Sequence, residues 1–163
     1  MIESIRSKLR RLMVKGFYQI QSGKGYSRDI KLVKELWTDY ENIPEYPMIN
    51  IFPIGELYSS AGSQNGNYTM GMLEKVVVFS IDYIDRVDED PLLAQEQMIS
   101  DMETYIGNYY MIPDTDNPAD YGCRESIIIS NQAFGITSNP NFLGVTFKIH
   151  CYIGQNILNP GVR

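Results

Sequence analysis

The sequence predicts an α+β domain: a mainly antiparallel mixed sheet of about four to five strands, with an N-terminal helix and one long helix packed on one face. Three observations predict it. Leu92, Met98, Ile99, Met102, Tyr105, Ile106 and Tyr109 fall within an arc of roughly 140° at helical spacing, with Glu96, Gln97, Ser100, Asp101, Glu103 and Thr104 outside it. Two stretches, LEKVVVFSIDYID and GVTFKIHCYI, alternate at the strand period of two. Their order along the chain is helix, two strands, a long connection, a strand, a helix and two strands.

The long helix has a marked start. Asp90 is suited to cap it and Pro91 to stand at its first position, and the acids Asp85, Asp88 and Glu89 just ahead suit the positive end of its dipole. In the strand before it, Val77, Phe79, Ile81 and Tyr83 share a face that can bed the helix, while the other face decays from Val76 and Val78 to Ser80 and Asp82. In the last strand Val145, Phe147, Ile149, Cys151 and Ile153 form one face, with Thr146, Lys148, His150 and Tyr152 on the other.

At the N-terminus, Ile2, Ile5, Leu9, Leu12 and Met13 line one side of a basic helix over 1–16 that carries Arg6, Lys8, Arg10, Arg11 and Lys15. With few apolar residues and no tryptophan it reads as a packed helix, not a membrane-surface one. Ile30–Trp37 reads as a strand, and YPMINIFP, bracketed by Pro47 and Pro53, as another. The stretch 53–72, rich in Gly, Ser and Asn, predicts a flexible hairpin loop. Beyond the long helix, Ser126–Ser130 reads as a short strand, NQAFGITSNPNF as turns, and 154–163 as an aperiodic tail.

A chain of 163 residues fits a single domain able to bury about 70% of its unfolded surface. No leader peptide and no membrane span are read in it. Cys123 and Cys151 are too few for a disulfide framework and read as reduced, buried small residues. Charge is uneven. Residues 1–34 hold nine Lys and Arg against two acids, and the remainder holds five against eighteen, for a net charge of −6. Such a basic arm on an acidic body is either a solvated helix face or a means of oriented association between molecules. The acidic body disfavours DNA capture.

Catalytic signatures are not found. His150 is the single histidine, and its neighbour Cys151 points to the opposite strand face, so the two cannot form a nucleophile–base pair. Phosphate-loop and dinucleotide glycine patterns are absent, two Cys and one His fall short of a zinc site, and the acids 82–90 lack the glycine and distal glutamate of a calcium loop. No cofactor and no metal is expected. Tyr105, Tyr109 and Tyr110 suit either a core or a contact surface.

Taken together, the basic first helix, KELWTDY, YPMINIFP, the hairpin, KVVVFSIDYID, DPLLAQEQMISDMETYI, SIIIS and GVTFKIHCYI resemble the tail terminator (tail completion or neck) proteins of tailed bacteriophages, from about residue 2 to 155. The likeness lies in the spacing of elements, so no individual site residue is carried over. It implies a virion structural protein of the tail and neck, assembled in the host cytoplasm, without enzymatic activity or membrane attachment. It also implies a ring, usually hexameric, that caps the tail tube protein, stops its polymerisation and meets the head connector or adaptor proteins, while DNA passes through the lumen unbound. On this reading Arg6, Lys8, Arg10, Arg11, Tyr58, Asn65, Tyr68, Asp85, Asp88 and Glu89 are candidate interface residues. Rival readings are another head–tail adaptor ring, a small ligand-binding or enzymatic domain using Lys148, His150 and Tyr152, and a membrane-surface adaptor working through Arg6, Lys8, Arg10 and Arg11.

Overall fold

Asp90 caps the long helix as its sequence requires: one carboxylate oxygen accepts from the backbone N–H groups of Leu92 (3.0 Å) and Leu93 (3.3 Å). In the computed structural model, which describes residues 2–59, 72–88 and 90–156, helices α1 (Ile5–Phe17) and α2 (Pro91–Asn108) lie on one face of a five-stranded sheet. The strands are β1 (Leu32–Glu35), β2 (Met48–Ser59), β3 (Met72–Arg86), β4 (Glu125–Ile136) and β5 (Asn139–Asn156), in spatial order β1-β2-β3-β5-β4. Among the described residues only β1 runs parallel to its neighbour, and every other pairing is antiparallel. The α+β class read from the sequence is the one observed.

The main core forms where the expected strand faces meet the helices. Val77, Phe79, Ile81 and Tyr83 of β3 and Val145, Phe147, Ile149 and Cys151 of β5 pack against Leu9, Leu12 and Phe17 of α1 and Met98, Met102 and Tyr105 of α2. The helices approach closely at Gly16, where an added Cβ would lie 2.0 Å from the Tyr105 hydroxyl, so a side chain there would force the helices apart. Tyr105 is therefore core, while Tyr109 and Tyr110 are exposed.

Four expectations change. The apolar arc of α2 is displaced: Leu92 is 72% exposed, and Asp101, placed on the outer face by its polarity, is 3% exposed. Its carboxylate is tolerated because the Tyr83 hydroxyl (2.9 Å) and the Ser27 N–H (2.7 Å) donate to it. Second, 53–72 is not all loop. β2 runs on to Ser59 and β3 begins at Met72, paired antiparallel, and 60–71 lie outside the described residues. Third, NQAFGI continues β4 to Ile136, leaving a two-residue turn at Thr137–Ser138. β4 is an edge strand with one side open, so it accepts Asn131 and Gln132 without burying them. Fourth, β1 shrinks to four residues because the chain then leaves the edge and crosses the helix-free face.

That crossing segment, residues 36–47, makes a second, smaller core. Trp37, Tyr40 and Ile43 cover Met48, Ile84 and Ile136, with Phe134 and Phe142 beside them. A buried polar network fastens it. Asn50 donates to the Trp37 carbonyl (2.6 Å) and the Tyr40 hydroxyl (2.8 Å), its own carbonyl accepts from the Trp37 N–H, and the Tyr40 hydroxyl donates to Asp82. Thr146 completes the Asp82 carboxylate at 2.7 Å. The β3 face that fades to Ser80 and Asp82 in sequence is thus half covered.

Candidate assembly surface

The charge asymmetry is used largely inside the molecule. Lys8 pairs with Asp120 (2.6 Å), Arg10 with Glu35 (2.8 Å), Arg11 with Glu3 (3.0 Å), and Lys15 with both Asp114 and Asp116 (2.7 Å each). The Lys15 ammonium holds the Asp114 carboxyl below the usual carboxylate range. Lys8 and Arg10 therefore clamp α1 to the rest of the domain, and Arg11, paired mainly with Glu3 beside the helix, reaches Asp114 at 3.8 Å as well. The fourth, Arg6, is exposed, and its charge helps hold the Glu56 carboxyl low, after the Tyr58 hydroxyl and Lys75.

The acidic candidates divide similarly. Asp85 accepts from Arg28 at 2.7 Å, and Arg28 also reaches Gln97 of α2; Asp88 pairs with Arg86 at 2.9 Å. Burial raises the Asp85 carboxyl despite that partner. Glu89, Asn65 and Tyr68 lie outside the described residues. Tyr58 is exposed on β2, donating to Glu56 beneath the Lys75 ammonium. A charge balance read along the chain could not reveal this pairing, because the partners Asp114, Asp116 and Asp120 stand about a hundred residues from α1.

Apolar side chains, not charges, distinguish the sheet's far end. Ile54 and Leu57 on β2 are 57% and 53% exposed; Ile127 and Ile129 on β4 are exposed as well. A β-bulge interrupts β2 between Pro53 and Gly55, and another interrupts β4 between Ile128 and Ser130. Both fall on one row of the sheet, since Phe79 faces Pro53 on one side and Ile149 on the other, and Ile149 faces Ile128. Bulges bend strands, so this row is a crease. Below it β1 covers the edge of β2; above it no strand pairs with the outer side of Gly55–Ser59 or of Glu125–Ile128 among the described residues. The sequence signal for these residues was available, since Ser126–Ile136 contains neither charge nor proline.

The rival ligand-binding surface is less developed. Lys148, His150 and Tyr152 share the helix-free face, but the residues flanking His150 in its row are Val78 and Ile127, and the His150 Nε2 has no hydrogen-bond partner among the described residues. Burial, and then the Lys148 charge, push the imidazole below its ordinary value. With a folded pKa below the unfolded one, the stabilising contribution is complete above about pH 6.5 and is lost as pH falls through the folded value. His150→Gln should therefore flatten the acid side of the stability profile, measured as denaturation midpoints between about pH 7.5 and 5. A pocket of about 280 Å³ opens between Gly16, Tyr105, Tyr109 and Asp114, but its carboxylates are already joined to Lys15. Among the described residues no group of three metal-capable side chains converges, and no helix is long and apolar enough to cross a membrane.

The sequence matches no protein-family model and no curated protein.

Proposed function

We propose that this chain is a structural protein of a tailed-phage virion, a terminator that assembles as a ring of six on the end of the tail tube, halts tube polymerisation and joins the tail to the head connector. The observation that carries the reading is the concentration of solvent-facing Ile54, Leu57, Tyr58, Ile127 and Ile129 on a sheet whose charges are mostly paired within the domain. These groups lie at two edges, Ile54, Leu57 and Tyr58 on β2 and Ile127 and Ile129 on β4, and exposed apolar groups at an edge mark contact surfaces. The element order and the acid-capped α2 support it further, as the resemblance to terminators requires. The chain acts by shape and self-association and carries out no catalysis. Its net charge of −6 suits a lumen that DNA traverses without being held.

The test is capping. Tail tubes growing in vitro from purified tube protein should stop at a fixed length when this chain is added, with a ring of extra density at one end by electron microscopy. Tubes that continue to lengthen, with no chain sedimenting alongside them, would overturn the reading.

A further inference from the structure

We infer that copies of this chain join head to tail by strand pairing, with the β4 edge at Glu125–Ile128 of one copy laid antiparallel against the β2 edge at Gly55–Ser59 of the next. This deepens the ring reading and rests on it only for the number of copies. Strand direction is the first ground. β2 opposes β3, β3 opposes β5 and β5 opposes β4, so above the crease each copy offers four strands that alternate in direction. A β4 placed beside the β2 of another copy continues that alternation without a break. The two edges differ, so the contact is heterologous and propagates around a ring.

Level is the second ground. Leu57 shares a row with Val76, Tyr152 and Glu125, and Gly55 shares one with Val78, His150 and Ile127. The open edges therefore stand at one height, and both creases lie on the row below, so neighbouring sheets can bend together. Side chains supply the third. Leu57 and Ile127 both project from the helix-free face, two residues apart in row, which is the spacing of a diagonal cross-strand pair when one edge meets the other. Within one molecule they stand on opposite edges, and only a second copy brings them together. Ser126–Ile136 lacks the lysines and prolines that ordinarily guard an edge. A symmetric pairing of β4 with β4 would leave Ile54 and Leu57 in water.

The experiment uses the full chain and measures mass by analytical sedimentation over a wide concentration range. Wild type should form a closed oligomer. Leu57→Asp and Ile127→Asp should each be monomeric with unchanged circular dichroism, and an equimolar mixture should give a two-chain species and nothing larger, because each partner retains one intact edge. Should Ile127→Asp disturb folding, Ile129→Asp in the β4 bulge replaces it. Wild-type monomers at every concentration would overturn the pairing. So would association of both variants as wild type, which would leave the capping result, and hence the ring reading, standing. Loss of association in Ile127→Asp alone would assign β4–β4 pairing and overturn this one.

Discussion

Replacing Asp101 with alanine should cost the fold about 3 kcal/mol, from the buried Tyr83 hydroxyl and the part-buried Ser27 N–H left without an acceptor at about 1–3 kcal/mol each. The Tyr83 hydroxyl and the Ser27 N–H both end on this carboxylate, which joins α2 to β3 and to the segment that follows α1. For a domain of this size the loss is a fall in melting temperature of roughly 6–12 °C. The effect should not add to that of Tyr83→Phe. Removing the phenol takes away one of the two stranded donors, so the double variant should lose less than the sum of the singles. Thermal melts of the four proteins in the cycle measure the coupling. An additive result would mean that Asp101 acts through something other than Tyr83. Burial and the Asp101 charge push the Tyr83 phenol well above its ordinary value, so the hydroxyl keeps its proton as donor.

Asp82→Ala should loosen the crossing segment before it unfolds the domain. Asp82 accepts from Tyr40 and Thr146, and Tyr40 is held in turn by Asn50. Without the carboxylate, the Tyr40 hydroxyl loses its acceptor beneath Trp37 and Ile43, at about 2 kcal/mol. The expected result is earlier proteolytic cleavage within residues 36–47, together with a modest fall in the denaturation midpoint. Asn139 retains its own bonds to the Tyr40 and Glu41 carbonyls, so the segment should stay attached at that end. Equal protease resistance in variant and wild type would show that the apolar contacts of Trp37 and Ile43 suffice.

The two predictions mark the places where sequence periodicity fell short. The alternation of β3 and β5 and the cap at Asp90 were legible because each depends on neighbours in the chain. Asp101 was not, since a carboxylate in a core is acceptable only with donors brought from Ser27 and Tyr83, and polarity alone assigns it to the surface. The length of β4 was hidden for the converse reason: an edge strand need not alternate, and Gly135, Asn139 and Pro140 carry ordinary turn chemistry. Of the candidate interface, Tyr58 lies on the exposed β2 edge. Lys8, Arg10, Arg11, Asp85 and Asp88 are committed to partners that only the fold reveals.

In the proposed pairing, the internal use of the α1 cations sets how two copies would meet. With Lys8, Arg11 and Lys15 paired to the 114–120 loop, exposed cations such as Arg6, Lys31 and Lys148 are outweighed by acids, and the net charge is −6. Two such molecules repel across a Debye length of about 10 Å at 0.1 M salt. In the proposed pairing no long-range pull would draw them into place, and the encounter would be selective because only backbone contact at the correct edge repays the approach.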